Sequence, residues 1–400
     1  MSRYARRREP AIRPKTRLEV SDEHLTIRVI CLVVALVVAA VAFGTALNSV
    51  FSTKTGWQQI EPVDHETGIA QDFLLYYNIG KSDQSPRDEL RAVSSGYSKA
   101  LDHAYRVLSN VEMEGYVNLH TLNTQPNTDI TVDALVYNAF AQVEEAGSRM
   151  PYFAPLMEQY HSLFACGDDA QAEYFDPERS ETAARFAGEI AAFANDPEAV
   201  QVRLLPGNTL RLEVSQEYLD YARENEVDSF VDFGILLNAF LCDAVADTLE
   251  EQGCVNGYIT SFDGFTRAMC TDEFGLNVLD LVQGQVRQLG TVLYNTPGAV
   301  VSCRSFPVLE KDAAIYYTYS DGSIRAPYLN DQGLLSTACA SLNTFSGELS
   351  TAELALRTLA AYAGEDEGFS SLEDLSWVAG SNQQILLHGE AFRPADYHNF

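Results

Sequence analysis

One run of nineteen uncharged residues, Val29–Leu47 (VICLVVALVVAAVAFGTAL), constrains this chain more than any other feature. Coiled as a helix at 1.5 Å per residue it spans about 28 Å, close to the ~30 Å hydrocarbon core of a bilayer. It is apolar on every face, whereas a helix packed on a soluble core keeps a polar side. The run therefore reads as a transmembrane helix. Charge fixes its direction. The head before it, residues 1–28, holds eight basic and four acidic residues, net +4. The 400-residue chain has 27 Lys+Arg against 56 Asp+Glu, net −29, so everything beyond the head carries −33. Basic flanks stay on the cytoplasmic side. The expectation is a single-pass cell-membrane protein with its head in the cytoplasm and its body outside. Gly44-Thr45-Ala46 has the small-x-small pattern of a signal-peptidase site, but the long head and long apolar run favour an uncleaved signal anchor.

So acidic a body excludes a nucleic-acid binder, which needs a basic footprint. An apolar content of 46% with 10% aromatics excludes a disordered chain. The expected organisation is a cytoplasmic head at 1–28, the anchor at 29–47, a juxtamembrane segment at 48–74 and one extracytoplasmic domain at 75–400. Six cysteines lie in that body: Cys166, Cys242, Cys254, Cys270, Cys303 and Cys339. They permit three disulfides or stand as buried thiols, and spacing chooses no pairing.

Within the body the hydrophobic period alternates between helical and extended. Helices are predicted over Ser85–Leu108, over Asp129–Glu145, where Val132, Leu135, Val136, Phe140 and Val143 form one stripe, and from an Asp176-Pro177 start to Asn195. Val200–Leu204 and Leu210–Val214 alternate on either side of Pro206-Gly207-Asn208 and predict a hairpin. Helices follow at Ser215–Asn225 and Leu236–Gln252, then a strand at Val255–Phe262. Asp321-Gly322 marks a second hairpin between Ala314–Tyr319 and Ser323–Tyr328. Helices and strands without a βαβ rhythm predict an α+β fold with mixed sheets and packed helices. Phosphate-binding glycine loops, GxSxG turns and HExxH pairs are all absent, and the seven histidines are scattered.

Two stretches carry a family resemblance. Glu112–Asn123, with MEGYVNLHTLN at its heart, resembles the EGxNNLxTxN element of the FAD:protein FMN transferases, the ApbE or thiamine-biosynthesis-lipoprotein family. Phe153-Ala154-Pro155-Leu156 follows in the family's order. Val231–Ala268 resembles the family's DLGxxxKGYxxD…GGxxRA segment, with Asp232, Gly234, Asp243, Leu249, Gly253, Arg267 and Ala268 at matching positions. The resemblance implies an exported or anchored α+β protein that binds FAD and magnesium and transfers FMN to a Thr or Ser of a partner protein. It assigns Asn118 and Asp243 to cofactor binding. Asn238 replaces the motif Lys, Asp263 intrudes at the Gly-Gly position, Ser302-Cys303-Arg304 replaces the TSG turn, and Pro327 replaces the motif His. In the magnesium run, Thr351–Thr358, Glu353 stands for the Asp and Arg357 for the Thr, while Ile235 keeps only a backbone carbonyl. An Arg carries donors alone and cannot ligate a metal. Glu353 and Ile235 are thus the remnant of a magnesium site expected to be lost. Arg357 is expected to pair with Glu353 at i, i+4 and to put its guanidinium in the cation's space. The resulting expectation is a degenerate, transferase-like binding protein, a pseudoenzyme, with an extracytoplasmic protein as partner. The alternatives are an active, divergent transferase rebuilt on Glu353, Asp263 or Asp243, and a structural ectodomain of unrelated fold.

Overall fold

A computed structural model describes residues 53–63, 67–364 and 369–397. The anchor run lies outside these residues. Among the described residues no helix is long and apolar enough to cross a membrane.

The described residues open with strands β1 (Gly56–Ile60) and β2 (Phe73–Ile79), which pair antiparallel. Helix α1 (Pro86–Leu108) starts as its sequence predicts: the Ser85 hydroxyl accepts the Asp88 amide at 3.2 Å, and Pro86 occupies the first helical position. A small helical subdomain follows, comprising α2 (Leu119–Thr124), β3 (Asp129–Thr131), α3 (Ala134–Glu145), α4 (Ala154–Phe164), α5 (Asp169–Phe175), α6 (Glu181–Asn195), the hairpin β4 (Val200–Leu205) and β5 (Thr209–Val214), and α7 (Gln216–Glu224). The second half holds α8 (Leu237–Glu251), β6 (Gly257–Ser261), β7 (Phe265–Ala268), β8 (Phe274–Val282), β9 (Gln285–Tyr294), β10 (Gly298–Arg304), β11 (Tyr317–Thr318), β12 (Ile324–Arg325), β13 (Ser341–Ser346), α9 (Thr351–Ala363), β14 (Ser376–Ser381), β15 (Gln384–His388) and β16 (Arg393–Tyr397).

Eight strands form the central sheet in the order β1-β2-β6-β7-β10-β13-β14-β15. Alternation along its strands divides two cores. Leu75, Tyr77, Ile259, Val301 and Leu342 face helices α1, α8 and α9. Ala268, Val300, Phe345 and Val378 face the other way, under a three-stranded sheet β16-β9-β8 that supplies Val278, Val292 and Tyr294.

Several expectations are corrected. The sheets are not mixed: every named strand pair among the described residues is antiparallel, because hairpins or reversing helical excursions join the neighbours. The compact unit begins at Lys54, before residue 75, since the expected juxtamembrane stretch supplies β1 and the start of β2. Asp129–Thr131 pairs with β5 as a strand, and Asp133 then caps α3. Asp176 is not an N-cap; it closes the C-terminus of α5. Its buried carboxylate accepts Tyr319 Oη at 2.9 Å and Arg325 Nε at 2.8 Å, so the chain turns and α6 starts at Ser180 instead. The six body cysteines are free thiols, and Cys242, Cys254, Cys270 and Cys303 are buried.

Gly264, in the β6–β7 turn, has φ +105° and lies so close to β10 that a Cβ would sit 2.1 Å from the Ser302 carbonyl oxygen. Strain and clash act together there. Gly264→Ala should destabilise the fold by about 2 kcal/mol or more, read as a lowered urea midpoint.

Candidate functional site

The site grows from the first turn of α9. A helix leaves its first amides without partners and concentrates positive potential there, so such an end suits an anion. Here the anions are the protein's own. Asp243, on α8, accepts the Thr351 and Ala352 amides at 2.8 Å each, one on each carboxylate oxygen. Ser350 and Glu353 close a capping box: the Ser350 hydroxyl accepts the Glu353 amide at 3.2 Å, and Glu353 Oε2 accepts the Ser350 amide at 2.8 Å. Arg267, on β7, donates Nη1 to the Leu349 carbonyl at 3.0 Å and fixes the approach to the helix. Burial pushes the Asp243 carboxyl up to about 6 despite these bonds.

One turn along the helix, Arg357 grips Asp374 with both terminal nitrogens, Nη1 to Oδ2 at 2.9 Å and Nη2 to Oδ1, and Nη2 also meets the Ser371 carbonyl at 3.1 Å. This fork raises the Arg357 pKa and lowers that of Asp374. The expected Glu353–Arg357 pair does not form. Both side chains line one cleft on the same helix face, but Glu353 folds back onto its cap while Arg357 reaches outward to a planar two-oxygen acceptor.

That cleft has a volume of about 920 Å³, near the top of the ~300–1,000 Å³ range of small-molecule sites. Its floor is apolar, with Met150, Phe153, Leu349 and Leu356, and its rim carries Glu145, Arg149, Asp331, Glu353 and Arg357. Three of the resembling segments therefore meet here: Phe153 from the 153–156 run, Leu329–Asp331 from the run containing Pro327, and the magnesium run of α9. Arg149 is held elsewhere, donating to the carbonyls of Ala194 at 2.8 Å and Val200 at 2.6 Å and lying 4.0 Å over the Tyr152 ring.

The remaining predicted residues serve the scaffold. Asn118 caps α2 and donates to the Arg106 and Val111 carbonyls at 3.1 and 2.7 Å. Asn123, five residues on, accepts the Phe230 and Val231 amides at 2.8 and 3.0 Å, fastening the two resembling stretches together. Neither lines the cleft, nor do Asp243 and Ile235. Ile235 sits in a 3-10 turn, Gly234–Leu236, packed beside α9. Asn238 donates to Asp263 at 2.9 Å and Ser261 donates to its other oxygen, a closed network where the family pattern has Lys and Gly-Gly. Burial raises the Asp263 carboxyl to about 6. Phe240 is buried against Phe233, 4.8 Å between ring centres, and fills the space beside it.

These residues do not fit a magnesium site. Glu353 is committed to its cap, Arg357 is a donor bound to Asp374, and Ile235 offers one carbonyl where magnesium requires near-octahedral oxygen ligation. Among the described residues no three His, Cys, Asp or Glu side chains gather in a metal-holding group. Nor do they suit a dinucleotide pyrophosphate, because both rim arginines are engaged and three carboxylates accompany them.

No family model matches the sequence, and no curated protein matches it. Solved structures do. The ApbE protein of Thermotoga maritima superposes with a TM-score of 0.54 at 14% identity, over 86% of this chain and 97% of that one. The flavin transferase ApbE of Vibrio cholerae gives 0.52 at 11% identity, over 84% and 98%. The apo flavinyl transferase ApbE of Pseudomonas stutzeri gives 0.51 at 11% identity, over 84% and 93%. The chain thus has the fold of the ApbE flavin transferases in a divergent form, and an ectodomain of unrelated fold is excluded.

Three variants test the local physics. Asp243→Ala strands two buried amides and should destabilise the protein by roughly 2–4 kcal/mol in urea unfolding, with Asp243→Asn costing about half as much. A carboxyl that keeps its proton to about 6 when folded, against 3.8 ordinarily, binds protons on folding in between. Its contribution to stability therefore falls as pH rises from about 4 to about 6. The stability of the wild type relative to Asp263→Asn should drop through that window by on the order of 2–3 kcal/mol.

Proposed function

We propose that this protein is a single-pass, membrane-anchored ApbE-fold protein whose body lies outside the cell membrane, and that it binds rather than transfers. The basic head and the uncharged run at 29–47 support the anchored topology. One observation carries the loss of chemistry: the α9 end, where the resemblance expects a metal and a phosphate, is occupied by Asp243 and Glu353, with Arg357 tied to Asp374. A phosphoryl transfer needs positive charge at the phosphate, and this end presents carboxylates. The cleft remains open for a ligand or for a segment of an extracytoplasmic protein partner. The competing reading, an active divergent transferase, draws on the raised carboxyls of Asp243 and Asp263, since shifted acids mark many catalytic sites. Both are engaged away from the cleft.

Incubating the detergent-solubilised full chain with FAD, magnesium and a Thr-containing acceptor peptide should leave the peptide mass unchanged. A covalent FMN adduct on the peptide overturns the degenerate reading. In right-side-out vesicles, external protease should digest the body and spare the head; the reverse pattern overturns the topology.

A further inference from the structure

The central sheet is not covered evenly. The three-stranded sheet packs on the outer face of β7, β10, β13 and β14 and reaches Tyr258 of β6, whereas on the outer face of β1 and β2 Trp57 and Leu74 stay exposed beside it. The alternation of these strands places Trp57, Leu74, Tyr76 and Tyr258 on that face. Phe274, at the start of β8, completes a continuous aromatic cluster. Trp57 lies 5.9 Å from both Tyr258 and Phe274, Tyr258 stacks on Tyr76 at 5.3 Å, and Tyr258 meets Phe274 edge-on at 4.7 Å. Trp57 remains 42% exposed and Leu74 38%.

We propose that this open aromatic face rests in the interfacial layer of a lipid bilayer. The inference rests on the anchored reading of residues 29–47. Two observations select lipid as the occupant. One is reach: eight residues separate Leu47 from Gly56, at most about 28 Å of extended chain, so β1 is the strand tethered nearest the membrane surface. The other is chemistry. Trp and Tyr present a flat apolar body with one polar atom, the combination that settles at headgroup depth. Two carboxylates just before Phe274 are paired, Asp272 with Lys81 at 3.0 Å and Glu273 with Arg393. In an otherwise acidic body, this face lowers the repulsion and desolvation that a lipid surface would impose. Docking here leaves the α9 cleft, on the helical side of the sheet, turned away from the bilayer.

The chain contains two tryptophans, which makes the test direct. Trp377, on β14, is six strand spacings from β1, about 29 Å at ~4.8 Å each. The full chain carrying Trp377→Phe, reconstituted in phosphatidylcholine vesicles whose acyl chains are brominated near the carbonyl, should lose most of its Trp57 emission. The Trp57→Phe chain, reporting Trp377, should keep its emission. Undiminished Trp57 emission in a chain that stays with the vesicles through an alkaline wash overturns the docking and leaves the anchor standing. A chain quenched before the wash but released by it overturns the anchor and supports the docking. Emission that shifts with protein concentration in lipid-free detergent shows a second copy on the face and overturns the proposal.

Discussion

The cleft depends on how the first turn of α9 is fastened. Asp243 reaches across from α8 to two of its amides, Arg267 reaches from β7 to the carbonyl just before it, and Ser350 and Glu353 close the remainder. Two elements distant in sequence, α8 and β7, are thereby locked to one helix end, and that helix forms a wall of the cleft. The same bonds that make the wall rigid consume the donors an anionic ligand would need. Scaffold and chemistry compete for one set of amides, and in this chain the scaffold holds them.

Electrostatics on the rest of the rim follows the same rule. Arginines that face the cleft are anchored to protein acceptors, Arg149 to carbonyls and Arg357 to Asp374. Glu145 and Asp331 add negative potential, and so does the surrounding body. The rim's three carboxylates outnumber its two arginines, and a concave site focuses the sign that prevails. The cleft therefore disfavours polyanions beyond the loss of any single contact.

Local signals in the sequence located much of the fold. Ser85, Ser215 and Ser350 cap the helices they precede, Pro206-Gly207-Asn208 turns the β4–β5 hairpin, and Gly253 ends α8 at φ +73°. Long-range pairing left no such trace. Asp176 resembled an N-cap because its Arg325 partner lies 149 residues away. Arg357 was matched to Glu353 because helix periodicity supplies neighbours, whereas Asp374 is brought in by the chain beyond the helix. The β8–β9 hairpin turns on Gln283-Gly284, both at positive φ, a weaker signal than Asp-Gly or Asn-Gly. At the site, the resemblance singled out the α9 run, which lines the cleft, and Asp243, which fastens that helix from outside the cleft, because spacing alone does not distinguish a residue that touches a cofactor from one that caps a helix.

The order of the sheet has a kinetic consequence. Tyr77 on β2 pairs with Gly257 on β6, so the partners lie 180 positions apart in the chain. Closing such a loop is slow relative to local pairing. At roughly 5–20 residues per second of synthesis, the β1–β2 hairpin waits about 10–35 s for its partner. During that interval Phe73, Leu75 and Tyr77, buried in the finished protein, have chiefly α1 to shelter them. The helical excursion between β2 and β6 therefore acts in time as well as space, as the first cover for two strands of a sheet that is completed late.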